Sequence, residues 1–132
     1  MLNTLTLDIN FYQALGSLYY AIASCDSKVR KEEYNQLKKI IAQNWLQIDT
    51  DKDTENYSAF IIEHTFSLLN NSKENADTCF NDFLIFKQKN PDLFTTEVNQ
   101  IIWKTSNEIA MSIAGKNKSE LILLTKLKLS LI

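Results

Sequence analysis

Residues that turn a chain sharply are almost missing from this sequence: its 132 residues hold two glycines, Gly16 and Gly115, and one proline, Pro91. A fold of many short strands needs turn signals about every 8–12 residues, whereas a few long helices need far fewer. The chain is therefore expected to be all-α. Its length suits one domain over residues 1–132. An apolar share of 45% with 23% charged residues is that of an ordinary globular protein.

Apolar spacing divides the chain into about six helices. The first runs from about Asp8, a candidate N-cap, to Ser24, with Phe11, Leu15, Leu18, Tyr19 and Ile22 at three- and four-residue steps. A turn over Cys25 to Arg30 leads into a second, about Lys31 to Leu46, with Tyr34, Leu37, Ile40, Ile41 and Trp45 on one face. The third follows the acidic stretch DTDKDTE and is expected to bury Tyr57, Phe60, Ile61, His64 and Leu68. Ser72 is the candidate cap of a fourth, whose Phe80, Phe83 and Phe86 read as core. Asn90-Pro91 ends it, because proline disfavours helical geometry in the residue before it. The fifth carries the stripe Val98, Ile101, Ile102, Thr105, Ile109 and Ile113 and stops at Gly115, where a left-handed backbone suits glycine. Ser119 caps the last helix, which buries Leu123, Leu124, Leu127 and Leu131.

A shift of 88 residues lays AIASCDSKVRKEEYNQLKK over IAMSIAGKNKSELILLTKL. Ser24 then falls on Ser112, Lys28 on Lys116, Glu32 on Glu120 and Lys38 on Lys126. Each copy reads as a long helix, a tight turn and a helix entered with a glutamate. A carboxylate there meets the positive end of the helix dipole, worth about 0.3–1 kcal/mol. The expected architecture is one compact bundle whose first and last hairpins are related by a pseudo-twofold axis.

The first copy resembles the signature hairpin of the tellurite-resistance B (TerB)-like proteins: an alanine-rich helix, an Asp-Gly-Lys-Val-type turn, then Glu-Glu and a leucine-spaced helix. The pattern falls on Ala21, Ala23, Asp26, Lys28, Val29, Glu32, Glu33 and Leu37, and Ala110 to Leu127 looks like the weaker second copy. The resemblance implies a helical bundle with pseudo-twofold halves, acidic turn residues suspected as metal ligands, and a role in tellurite and chemical stress, and nothing in it implies catalysis. Two positions depart from the pattern. Ser27 stands where glycine is expected, and Ala114 where the second copy would carry its aspartate, which undercuts a metal site built symmetrically from both turns.

Two acidic segments invite a cation. In SCDSKVRKEE, Asp26, Val29 and Glu33 match the fifth, eighth and twelfth positions of a calcium loop, but the anchoring first position is the apolar Ile22. Asp26, Glu32 and Glu33 could hold only a weak, water-rich divalent cation, and their simpler reading is as helix-end groups. Asp49, Asp51 and Asp53 match the first, third and fifth positions of a second loop, where Thr54 replaces the turning glycine and Phe60 the bidentate glutamate. Asp53 capping the third helix explains that segment more simply. No resident cofactor is implied.

Other function classes find less support. One histidine, His64, and two distant cysteines, Cys25 and Cys79, give no zinc spacing, and two glycines give no phosphate loop. His64 reads as a core or boundary residue, and both cysteines as small buried hydrophobes. Residues 49–63 set one lysine against five acids, a balance of −4; residues 111–132 set four lysines against one glutamate, a balance of +3. Neither is dense enough for nucleic acid, although a basic last helix could touch an acidic partner or an anionic membrane surface. No apolar run reaches spanning length, and no basic residue precedes Lys28, so a cytoplasmic setting is expected. The leading expectation is a non-enzymatic binding or scaffold module with protein partners. The alternatives are a weak divalent-cation sensor and a small-molecule-binding bundle.

Overall fold

A computed structural model of the chain describes residues 9–25, 29–45, 57–114 and 118–131. Six helices account for most of them: α1 (Ile9–Ser24), α2 (Lys31–Trp45), α3 (Tyr57–Ser72), α4 (Ala76–Lys89), α5 (Thr96–Ile109) and α6 (Lys118–Leu131). A 3₁₀ turn, Pro91–Leu93, joins α4 to α5, and α5 runs on into a π-helical turn, Ala110–Ala114. No strand occurs among the described residues. The protein is an all-α bundle.

Helix α1 is its axis. Eleven of its sixteen residues are buried, and it packs against α3, α4, α5 and α6. A helix that is apolar nearly all round has to be enclosed, and in FYQALGSLYYAIA Gln13 is exposed and Ser17 half-buried. Gly16 sets the approach of α3. A Cβ there would lie 2.6 Å from Thr65 Cβ and 2.9 Å from the Ile62 carbonyl oxygen, so the two backbones meet where no larger side chain fits. At one end of α1, Phe11 makes edge-on contacts with Tyr12, Trp45 and Phe94 at ring separations of 5.3, 6.1 and 5.6 Å. Such clusters add to burial through favourable ring geometry.

Helix ends follow local chemistry. Lys73 takes a left-handed φ of 54°, and its N–H and that of Glu74 donate to the carbonyls of Asn70 and Leu69, closing α3. The cap of α4 is Asn75, which accepts the Thr78 N–H at 2.9 Å, and not Ser72 as the sequence suggests. Ser72 still belongs to α3 and donates to the Leu68 carbonyl. The left-handed turn falls after the asparagines, which moves the cap three residues on. Asn90 ends α4 as expected, and Thr95 caps α5 by accepting the Val98 N–H. The expected cap at Asp8, the stop at Gly115 and the cap at Asp53 lie outside the described residues. Ser119 is the second residue of α6 and so stands inside the helix instead of before it.

Helix α3 corrects the expected face. Its buried residues are Ser58, Ala59, Ile62 and Phe66, while Phe60 and Leu68 are 60% and 54% exposed and His64 is exposed. Apolar residues lie on both sides of this helix, so spacing alone could not choose between them. Close packing on α1 and α2 favours the side with small residues: Ser58 is fully buried and donates to the Trp45 carbonyl.

Candidate functional site

Of the carboxylates proposed as metal ligands, Asp26, Asp49, Asp51 and Asp53 lie outside the described residues. Glu33 stands three residues after Arg30, at the entry of α2. Its Oε1 accepts the Arg30 backbone N–H at 2.8 Å, and its Oε2 lies 3.6 Å from the Arg30 guanidinium. This is the reciprocal half of a capping box, with an acid of the first turn reaching back to an orphan N–H. Glu32 is exposed in the same turn. Among the described residues, no three His, Cys, Asp or Glu side chains gather as a metal would need.

A polar network joins the two hairpins. Asn44 of α2 donates through Nδ2 to Thr105 Oγ1 at 3.0 Å and to Glu108 Oε1 at 2.8 Å. Lys104 Nζ donates to Asn44 Oδ1 at 2.8 Å and to Glu108 Oε2 at 3.0 Å. Behind them, Trp45 Nε1 donates to the buried Tyr19 hydroxyl at 3.1 Å. Burial pushes the Tyr19 phenol far up, and its hydrogen bonds with Trp45 and Thr105 only partly offset this. Burial also pushes Glu108 up, but the hydrogen bonds from Asn44 and Lys104 and the lysine charge outweigh it and hold the carboxylate below its ordinary range. Each group is tied to a neighbour, so the network locks α1, α2 and α5 together. Cys79 is equally inert: burial, then the nearby Asp82 and Glu74, push its thiol up to about 11, which keeps the thiolate scarce.

The open chemistry lies between α5 and α6. Two neighbouring cavities of about 260 and 490 Å³ share Trp103 and Lys128. Thr96, Asn99, Gln100 and Leu131 complete the smaller; Asn107, Leu121, Leu124, Thr125 and Leu129 complete the larger. Lys128 Nζ sits 5.4 Å from the centre of the Trp103 ring, a cation–π contact across the groove. Leu129 is 68% exposed on one wall, and Met111, just beyond Asn107, is also exposed. Among the described residues, no carboxylate side chain lines either cavity, and Glu120, the one acid of α6, is fully buried. The exposed charge on α6 is thus basic, from Lys126 and Lys128.

The sequence stripes for α5 and α6 are largely correct: Val98, Ile102, Thr105, Ile109, Leu123, Leu124 and Leu127 are buried. They missed the groove because it is built from what the stripes leave over. Trp103, Leu121 and Leu129 are large apolar residues one or two positions off the buried face, and that surplus was the available signal. Of the expected aromatic core set, Phe80 and Phe83 are buried, and Phe86 is half-buried against the core. His64 is exposed instead of core, and its ring stacks on exposed Phe60 at 5.8 Å.

Comparison with protein-family models, with curated proteins and with solved structures finds no match to this chain.

Proposed function

We propose that this chain is a non-enzymatic binding module that takes a protein partner in the groove between α5 and α6. One observation carries the reading: two adjoining, largely apolar cavities between α5 and α6 that share Trp103 and Lys128. Large exposed apolar patches on globular proteins mark interaction sites, and a trough between two helices suits an amphipathic helix. The saturated network around Asn44 and the raised Cys79 thiol support a role without catalysis. The TerB-like resemblance, with its stress-response role and cytoplasmic setting, belongs to the same proposal and rests on the hairpin residues quoted above. No helix among the described residues is long and apolar enough to cross a membrane.

The test places a photo-crosslinking amino acid at Leu121 or Leu129, and at Gln36 as an exposed control outside the groove. Cells should yield a discrete crosslinked protein from the groove positions alone. Equal capture from Gln36, or none from the groove, sinks the reading.

A further inference from the structure

Helix α6 is apolar on two opposed faces. Leu123, Leu124 and Leu127 turn inward with Glu120, while Leu121, Ile122 and Leu129 are 48%, 48% and 68% exposed. At 100° per residue, Thr125, Leu129 and Ile122 fall within about 60° of one another on the outer side. Lys126 lies about 40° beyond Ile122, and Lys128 about 60° beyond Thr125, next to Leu121. The outer face is therefore an apolar crest with an exposed lysine along each border. From Leu121 to Leu129 it runs about 12 Å at 1.5 Å per residue. The hydroxyl on the crest is already used, since Thr125 donates to the Leu121 carbonyl at 2.8 Å.

We infer that this crest rests on an anionic membrane surface, with Ile122 and Leu129 dipping among the acyl chains and Lys126 and Lys128 at the headgroup phosphates. A helix lying in the interface lowers its apolar side into the lipid, and long lysine stems carry their ammonium groups back to the headgroups. Among the described residues neither lysine forms an ion pair; Lys128 lies over the Trp103 ring. The charges of the neighbouring helices do not cancel them. Glu120 is buried, and α1 carries no charged residue from Ile9 to Ser24. On α5, Glu97 and Glu108 stand about 120° and 140° round from Trp103. That is the side on which Glu108 binds Lys104 and Asn44 of α2. Anionic lipid supplies negative charge along both borders of the crest at once, whereas the crest of a second copy would set lysine against lysine. Leu121, Leu129 and Lys128 also line the groove, but Ile122 and Lys126 do not, so contact with lipid does not depend on a partner in the groove.

Co-sedimentation of the purified full chain with lipid vesicles tests this. The chain should pellet with vesicles of phosphatidylglycerol and phosphatidylcholine in equal parts and stay in solution with phosphatidylcholine alone. Raised salt should weaken the binding. A lysine near an anionic surface strengthens binding about fivefold, and Lys126→Gln should weaken it by that factor. Ile122→Asp should abolish binding, while Phe60→Asp, at a 60% exposed apolar residue of α3, should leave it unchanged. All three positions are exposed, so circular dichroism should not change. Lys126→Gln decides the matter should Ile122→Asp misfold. Equal binding to neutral vesicles, no binding to anionic ones, or equal loss from Phe60→Asp overturns the inference. If anionic vesicles fail to bind while Leu121 still crosslinks to a protein, the membrane contact alone fails. If anionic vesicles bind while Leu121 and Leu129 capture no protein, the groove reading fails and the membrane contact stands.

Discussion

Helix α2 buries Leu37, Ile40, Ile41 and Asn44, with Trp45 at its end; α6 buries Glu120, Leu123, Leu124 and Leu127. The spacing is identical, but the sequence repeat does not superpose the two sets. At a shift of 88 residues, buried Leu37, Ile40 and Ile41 fall on exposed Thr125, Lys128 and Leu129, while buried Leu127 falls on exposed Lys39. The buried sets align at a shift of 83 instead. Five residues at 100° each leave the two faces about 140° apart around their axes. The repeat therefore preserves the order of helix, turn and helix and the glutamate near the second helix's start. Which side of that helix is buried depends on its neighbours, and the neighbours differ: α2 meets α3 and α5, α6 meets α5 and α1. In α6 the residues left outside include Leu121 and Leu129, which line the groove with Trp103 of α5.

The largest expected effect tests that rotation directly. Leu37→Ala should cost about 2–5 kcal/mol in urea unfolding, as buried leucines do. Its repeat partner Thr125→Ala should fall within about 0.5 kcal/mol of the native protein, as exposed sites do. Comparable losses at the two positions would mean that the faces coincide after all.

Next come the two glutamates that the repeat equates. Glu120 is fully buried and Glu32 exposed. Glu120→Ala should cost about 1.5–3 kcal/mol, the range for hydrogen bonds to charged groups. Glu32→Ala should cost about 0.3–1 kcal/mol, and less in high salt. Equal and salt-sensitive losses would restore a shared helix-end role.

A smaller effect concerns the network that bridges the hairpins. Glu108 titrates below its ordinary value of 4.5 in the folded protein, through Asn44 and Lys104 against the pull of burial. Its contribution is thus present above about pH 4.5 and is lost as pH falls through the lower, folded value. Because the side chain is 39% exposed, screening keeps the contribution small. Glu108→Gln should flatten the stability profile in that acid window and leave its slope at pH 7 unchanged. A slope change near neutrality would point to another group.

The smallest expected effect is close to none. With Glu33 already holding the Arg30 N–H, calcium or magnesium should bind no tighter than about 10⁻³ M in calorimetry of chelator-treated protein. Micromolar binding lost on Asp26→Asn would turn the first hairpin into a cation sensor; loss only on Asp51→Asn would place the site in the acidic segment.

Much of the fold was legible because it rests on local chemistry. Scarce glycine and proline, the apolar steps in α1, α2, α5 and α6, and Asn90-Pro91 as a stop all read directly. What was not legible depends on partners distant in sequence. Ser58 and Ala59 are buried because α1 and α2 press against them, a fact that no periodicity within α3 contains. Asn44 looks like a surface residue until Thr105 and Glu108, more than sixty positions away, supply its partners. The groove was hardest to see, since it exists only where two helices leave apolar residues uncovered.

Helix α1 carries a further consequence, one of timing. Its enclosing partners α3, α4 and α5 all lie downstream, and α5 is not finished until Ile109. At roughly 5–20 residues per second of synthesis, about 4–17 s separate the making of Ser24 from that of Ile109. For that interval the most apolar helix of the protein lacks part of its enclosure. Nascent chains stalled at Lys89 should leave α1 open to protease, and chains extended past Leu131 and clear of the ribosome should protect it; early protection would show that α3 and α4 suffice. A newborn copy thus passes through a window in which its central helix needs shelter from the cell.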